Sequence, residues 1–156
     1  MKRLIILISC IIICASAGGI GAAATLPQIA TWYPSIQKPS FNPPNYLFGP
    51  VWTVLYLLMA IALFLYITQD TFRPKLTGYI WFFIQLILNA MWSVVFFGYH
   101  QLSAAFAVIL LLLLFIVLTI VYFFRITKPG SIMLVPYALW VSFAAVLNFS
   151  IMRLNP

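Results

Sequence analysis

Acidic side chains are almost missing from this chain: Asp70 is the only carboxylate in 156 residues, and His100 is the only histidine. Each scarcity removes a class of chemistry. Paired-carboxylate hydrolysis, a Ser-His-Asp relay, a Cys-His nucleophile and a two-histidine metal centre all need groups that are not there. No acidic residue falls inside an apolar run, so a pump driven by protonation of buried carboxylates is excluded as well. His100 sits in the turn Gly98-Tyr99-His100-Gln101 at an expected membrane edge, a poor place for an axial haem ligand. Cysteine is nearly as scarce. Cys10 and Cys14 lie four apart, on one helix face. With no histidine or carboxylate near them they read as small apolar filler, not as a metal or redox pair.

Charge of either sign is thin, at 6% of residues, while 65% are hydrophobic. That composition is a small polytopic membrane protein, not a soluble domain. A membrane span needs about 20 predominantly apolar residues. Five stretches qualify: Leu4–Ala24, Leu47–Thr68, Leu76–Phe97, Leu102–Phe124 and Ile132–Ile151. Lipid offers the backbone no partners, so each is expected to be a helix, and the whole chain 1–156 a single all-α domain of five transmembrane helices.

The net charge of +7 is arranged by topology. Lys2 and Arg3 precede the first span, Arg73 and Lys75 separate spans two and three, and Arg125 and Lys128 separate spans four and five. Only Lys38 and Arg153 fall on the other side. The asymmetry predicts a cytoplasmic N-terminus and argues against a nucleic-acid partner. Lys2-Arg3, the apolar core and Ala15-Ser16-Ala17 also fit a cleavable signal. Apolar character persisting to Leu26 favours a retained first span, whose Gly18 and Ala22 suit close helix packing.

Prolines and aromatics concentrate in one connection. Residues 25–46 hold Pro27, Pro34, Pro39, Pro43 and Pro44 beside Trp32, Tyr33, Phe41 and Tyr46. A loop this long is commonly a lid, a binding loop or disorder. The aromatics are costly to leave in water and the prolines lower the entropy lost on ordering, so an ordered lid over a membrane pocket is expected. Within the spans, Gln85, Asn89 and Trp92 share one face of the third helix, and Trp140, Ala144, Leu147 and Asn148 form a stripe on the fifth. The asparagines are either interhelical glue or ligand contacts. Trp81 suits an interfacial belt; Trp140, mid-span, does not.

Four ordered blocks carry a family resemblance. Trp32-Tyr33-x4-Lys38-Pro39-x-Phe41-x-Pro43-Pro44 is followed by Gly49-Pro50-Val51-Trp52-x-x-Leu55-Tyr56. Then come Gln85-Leu86-x-Leu88-Asn89-x-x-Trp92-x3-Phe96-Phe97-Gly98 and Pro136-Tyr137-x-x-Trp140-x-x-Phe143-Ala144-x-x-Leu147-Asn148. From about Gly18 onward the chain resembles the translocator protein family, also called tryptophan-rich sensory proteins. The resemblance implies a five-helix bundle with the first loop as lid, commonly a homodimer. The implied ligands are porphyrins such as protoporphyrin IX, sterol-like lipids, and isoquinoline carboxamide and benzodiazepine compounds. Carried over by matching positions, the pocket residues are Trp32 and Pro43 in the lid, Trp52, Asn89, Trp92, Trp140 and Ala144. Phe143, beside the fifth-helix stripe, and Leu147, within it, are further ligand-binding candidates, and Lys38 is placed to pair with a propionate. Two departures stand out. Phe149 replaces the tyrosine of the sterol-recognition stretch of animal members, and Val108 replaces an aspartate found in some members. The short C-terminus and the basic asymmetry resemble bacterial members.

The expected function is a multi-pass receptor or sensor that binds porphyrin in an aromatic intramembrane pocket and regulates tetrapyrrole levels. No cofactor is required, with porphyrin as ligand, and no conventional catalytic constellation is present. The route to turnover would be light-dependent porphyrin degradation, with Trp52 and Trp140 as photoredox candidates. The alternatives are a transporter of porphyrin or sterol-like ligands and a non-catalytic membrane scaffold.

Overall fold

Apolar runs in lipid must satisfy their own backbone, and a helix does so within one segment. The computed structural model, which describes residues Met1–Pro156, is correspondingly all helical. In chain order the elements are α1 (Lys2–Ala30), α2 (Asn45–Thr68), α3 (Leu76–Ser93) continued by a π turn (Val94–Gly98), α4 (Leu102–Phe124), α5 (Lys128–Met133) and α6 (Val135–Leu154). Five stretches are long and apolar enough to cross a membrane, α5 and α6 together making the fifth.

Helix ends differ from the apolar runs for local reasons. α1 does not stop at Ala24 but continues through Pro27 to Ala30. Pro27 forfeits one backbone hydrogen bond, yet 29 residues at 1.5 Å rise give roughly 43 Å, longer than the ~30 Å hydrocarbon core. The connection to α2 is therefore 31–44, shorter than the 25–46 expected. α2 starts at Asn45, directly after Pro44, so Gly49-Pro50 lies inside the helix and not at its start. The last span is broken at Leu134, just ahead of Pro136, whose nitrogen cannot bond the preceding turn. Upstream of the break, the Thr127 hydroxyl caps α5 by accepting from the Gly130 N–H at 3.4 Å.

α1 packs on α2 and α3, α3 on α4, and α4 on α6, with α5 wedged between α2 and α4. The main core joins all the long helices. In it the Tyr66 ring stacks on Phe123 at 3.9 Å, and Phe82 stacks on the same ring at 5.8 Å. Gly78 lies directly beneath the Tyr66 hydroxyl, where a Cβ would collide with it. Cys10 and Cys14 are buried free thiols in this core. A second, smaller core of Tyr33, Phe96, Phe97, Ala105, Leu147 and Ile151 lies at the opposite end, under the 31–44 segment.

Candidate functional site

Against the smaller core the bundle leaves a space that is open on one side. A cavity of about 690 Å³ lies between α1, α2, the end of α3 and α6, with no charged residue in its wall. Its size is within the ~300–1,000 Å³ range of small-molecule sites. Trp52 of α2, Trp92 of α3 and Trp140 of α6 all face it. Only Trp92 has its indole N–H taken within the protein, donating to Asn148 Oδ1 at 3.0 Å. Trp140 packs edge-on against Phe48 at 6.2 Å, so these two rings bridge α2 and α6. Ala144 and Leu147, one and two turns beyond Trp140, continue the α6 wall.

Behind the tryptophans runs a buried polar chain. Tyr56 Oη donates to Asn89 Oδ1, Asn89 Nδ2 donates to Tyr137 Oη at 3.0 Å, and Tyr137 Oη donates to Gln85 Oε1 at 2.9 Å. Three helices are thereby tied together at mid-membrane, with the Gln85 amide nitrogen the only group of the chain left unpartnered. The chain also sets the Trp52 ring, which lies 5.6 Å from Tyr56 and 6.3 Å from Tyr137. Asn89 does not line the cavity; it holds the wall from behind. Asn148 makes a second tie, its Nδ2 donating to Leu102 O at 3.0 Å, and also borders the cavity.

The 31–44 segment lies at one end and contributes Tyr33 to the wall. Tyr33 is buried against Phe97 and reaches the cavity, and its hydroxyl donates to Asn42 Oδ1 at 2.7 Å. Burial pushes its phenol up to about 12, with the Asn42 hydrogen bond opposing, so it stays a neutral donor at ordinary pH. Trp32 stacks on His100 at 4.1 Å, and His100 Nε2 meets Gln28 Oε1 at 3.1 Å. His100 takes a left-handed backbone (φ 56°), the one residue of the chain to do so. Gln37 and Asn155 exchange hydrogen bonds of 3.0 and 2.9 Å, fastening the segment to the end of α6. Phe41 meets Phe143 at 6.4 Å. Lys38 turns inward: its ammonium donates to Tyr33 O at 2.6 Å and Ile36 O at 2.7 Å and lies 5.0 Å from the Tyr33 ring centre.

Of the expected site residues, then, Trp52, Trp92, Trp140, Ala144 and Leu147 line one cavity. Trp32, Lys38, Pro43, Asn89 and Phe143 stand outside its wall, in the closing segment or behind the lining. Sequence reasoning left out Tyr56, Phe48, Phe96, Phe97 and Gly18, which do line it. Tyr56 was signalled by its place one turn after Trp52. Gly18 was read only as a packing glycine; a Cβ there would come within 2.7 Å of the Tyr56 ring. Phe96 and Phe97 are adjacent in sequence, and a π turn brings both inward, which no apolar period announces. Trp81 is remote from the cavity, packed against Phe115 of α4 at 5.5 Å.

The profile of the TspO/MBR family matches residues 10–154. A "Tryptophan-rich protein TspO" from Chlorobaculum tepidum is 45% identical, with 99% of each chain covered. "Protein CrtK" from Rhodobacter capsulatus is 37% identical over 92% of this chain and 88% of its own. The human "Translocator protein" is 32% identical over 80% of this chain and 75% of its own.

Proposed function

The chain belongs to the TspO/MBR family and is a multi-pass integral membrane protein, and from that premise we propose that it is a receptor for porphyrins. The observation that carries this function is the 690 Å³ cavity with three tryptophans and no charge in its wall. A flat aromatic macrocycle gains area burial and ring contacts from such a slot. The free indole N–H groups of Trp52 and Trp140 offer donors to its ring nitrogens. His100 is engaged with Trp32 and Gln28 outside the cavity, so no histidine is at hand as an axial ligand, and metal-free porphyrin is preferred. The names carried by its relatives, sensory protein and translocator protein, fit a membrane receptor for such a ligand. Sterol-like lipids, isoquinoline carboxamides and benzodiazepines are further ligands of the same apolar volume.

The 31–44 segment acts as the lid, its own hydrogen bonds holding it in place before ligand arrives. Lys38 reaches a propionate only by giving up the Tyr33 and Ile36 carbonyls, which makes it a brace first and a ligand contact second. The protein works as a homodimer with its N-terminus in the cytoplasm, the orientation supported by six basic residues at one end of the bundle against two at the other. Light-driven loss of porphyrin would proceed by electron exchange with Trp52 or Trp140, since the cavity holds no acid or base.

The test is titration of the purified protein with protoporphyrin IX in the dark, followed by tryptophan fluorescence. Saturable quenching at one porphyrin per chain is expected; quenching no different from that of protein-free micelles mixed with indole would end the receptor assignment. Illumination then asks a separate question. Decay of the porphyrin spectrum no faster than in detergent alone would remove degradation and leave binding standing.

A further inference from the structure

The opposite end of the bundle carries a second built feature that the porphyrin cavity does not use. A cleft of about 220 Å³ opens between the α2–α3 and α4–α5 connections, with Arg73, Arg125, Thr77 and Tyr122 in its wall and Tyr66 and Ile126 among the rest. We infer that this cleft binds a phosphate group, supplied by the headgroup of an anionic membrane lipid.

Two guanidinium groups converge there without a carboxylate. Arg73 Nη1 donates to the Arg125 backbone carbonyl at 3.0 Å, which fixes the first guanidinium and spends only one of its five donors. The second lies 4.9 Å from the centre of the Tyr122 ring, and its N–H groups have no partner within the protein. Asp70, the sole acidic residue, is not part of the cleft. Lys75 does not compete, because its ammonium is consumed by Ile67 O at 3.0 Å and Gln69 O at 2.6 Å. The first turn of α3, which supplies Thr77, has no side-chain cap, so its N–H groups add positive potential at the same place. Two like charges in the wall of one cleft repel unless an anion joins them, and guanidinium forks match phosphate oxygens two at a time.

The depth of the cleft points to lipid as the source. It lies where the apolar runs of α2, α3 and α4 end, the level of headgroups. Ile126 gives it an apolar flank, and Phe72 and Phe124, next in sequence to the two arginines, are exposed where acyl chains would lie. Free phosphate would meet the same guanidinium groups but gain nothing from those surfaces.

Native mass spectrometry of the full chain in detergent, with added phosphatidylglycerol or phosphatidylcholine, tests this. Wild type should retain phosphatidylglycerol about tenfold better than phosphatidylcholine, and Arg73→Gln or Arg125→Gln should each remove most of that preference. Arg73→Lys, which keeps the charge and loses the fork, should fall between. Arg3→Gln, at the same end but outside the cleft, is the control and should keep the wild-type preference. A second arm adds inorganic phosphate at constant ionic strength. Retention of phosphatidylglycerol against millimolar phosphate is expected; its complete displacement by phosphate would overturn lipid as the source and assign the cleft to the free anion. The inference is overturned if both glutamine variants, folded by circular dichroism, retain phosphatidylglycerol like wild type, or if Arg3→Gln loses as much as they do.

Discussion

The two ends of this bundle are packed on different terms. At the basic end Tyr66, Phe82 and Phe123 stack face to face, and Gly78 gives up its side chain so that Tyr66 can fill the space. At the other end the rings meet mostly edge-on or tilted, as with Trp140 and Phe48 or Trp92 and Phe96, and they enclose volume instead of filling it. The polar chain of Tyr56, Asn89, Tyr137 and Gln85 lies at the junction. It lets one end be solid and the other hollow without the hollow end collapsing. An empty apolar volume otherwise costs dispersion contacts on every wall.

The sharpest way to break that contrast is to cut the polar chain. Tyr137→Phe leaves Asn89 Nδ2 and Gln85 Oε1 buried without their partner, a loss of about 1–3 kcal/mol for each group stranded. The expected outcome is a fall in thermal stability, measured in detergent, larger than that of any cavity-ring or loop substitution, together with weakened porphyrin binding as the Trp52 wall loosens. Stability equal to wild type would show that the junction carries no strain from the cavity.

Next come the cavity rings themselves. Trp52→Phe and Trp140→Phe keep a ring in each place, so stability should hold while porphyrin affinity drops by roughly 0.5–1.5 kcal/mol. Any light-driven porphyrin decay should drop much further, since phenylalanine is a far poorer electron donor than indole. Equal decay in wild type and both variants would remove the tryptophans from the photochemistry.

A change of similar or smaller size is expected in the closing segment. Pro43 and Pro44 replaced together by Gly should raise the entropy of the open segment by on the order of 1 kcal/mol per residue. If the segment gates entry, its open and closed states then exchange faster, and stopped-flow binding of porphyrin should show raised on- and off-rates. Unchanged rates and affinity would mean that 31–44 is a fixed cap and not a lid.

The smallest effect belongs to the solid half. Trp81 is packed against α4 with its indole N–H buried and unpartnered. Trp81→Phe removes that stranded donor and should leave porphyrin binding unchanged and stability within about 0.5 kcal/mol of wild type. Porphyrin loss matching that of Trp52→Phe would erase the distinction between the two ends.

The spans and the composition of the pocket were legible because lipid leaves the backbone one option and because Trp52, Trp92 and Trp140 recur within ordered motifs. The division of labour among the polar residues was not. Gln85, Asn89 and Trp92 share a helix face, and that face alone left Asn89 open as a ligand contact or as glue. Only the neighbouring helices separate them: Asn89 meets two tyrosines from α2 and α6, while Trp92 turns its ring to the cavity and its N–H to Asn148. Lys38 shows the same limit. Its charge suggested a carboxylate partner, yet the nearest oxygens are carbonyls of its own loop.

By itself the sequence determined a five-helix membrane bundle with a charge asymmetry, since hydrocarbon thickness sets span length and each run of apolar residues is a local property. It also placed a proline-stiffened aromatic segment between the first two helices. What only the tertiary structure decided was where space would be left. α1 running on to Ala30, the π turn that brings Phe96 and Phe97 inward, and Gly18 against Tyr56 each alter the approach of one helix to another by ångströms. A cavity is the sum of such approaches, and no single helix contains the information to specify it.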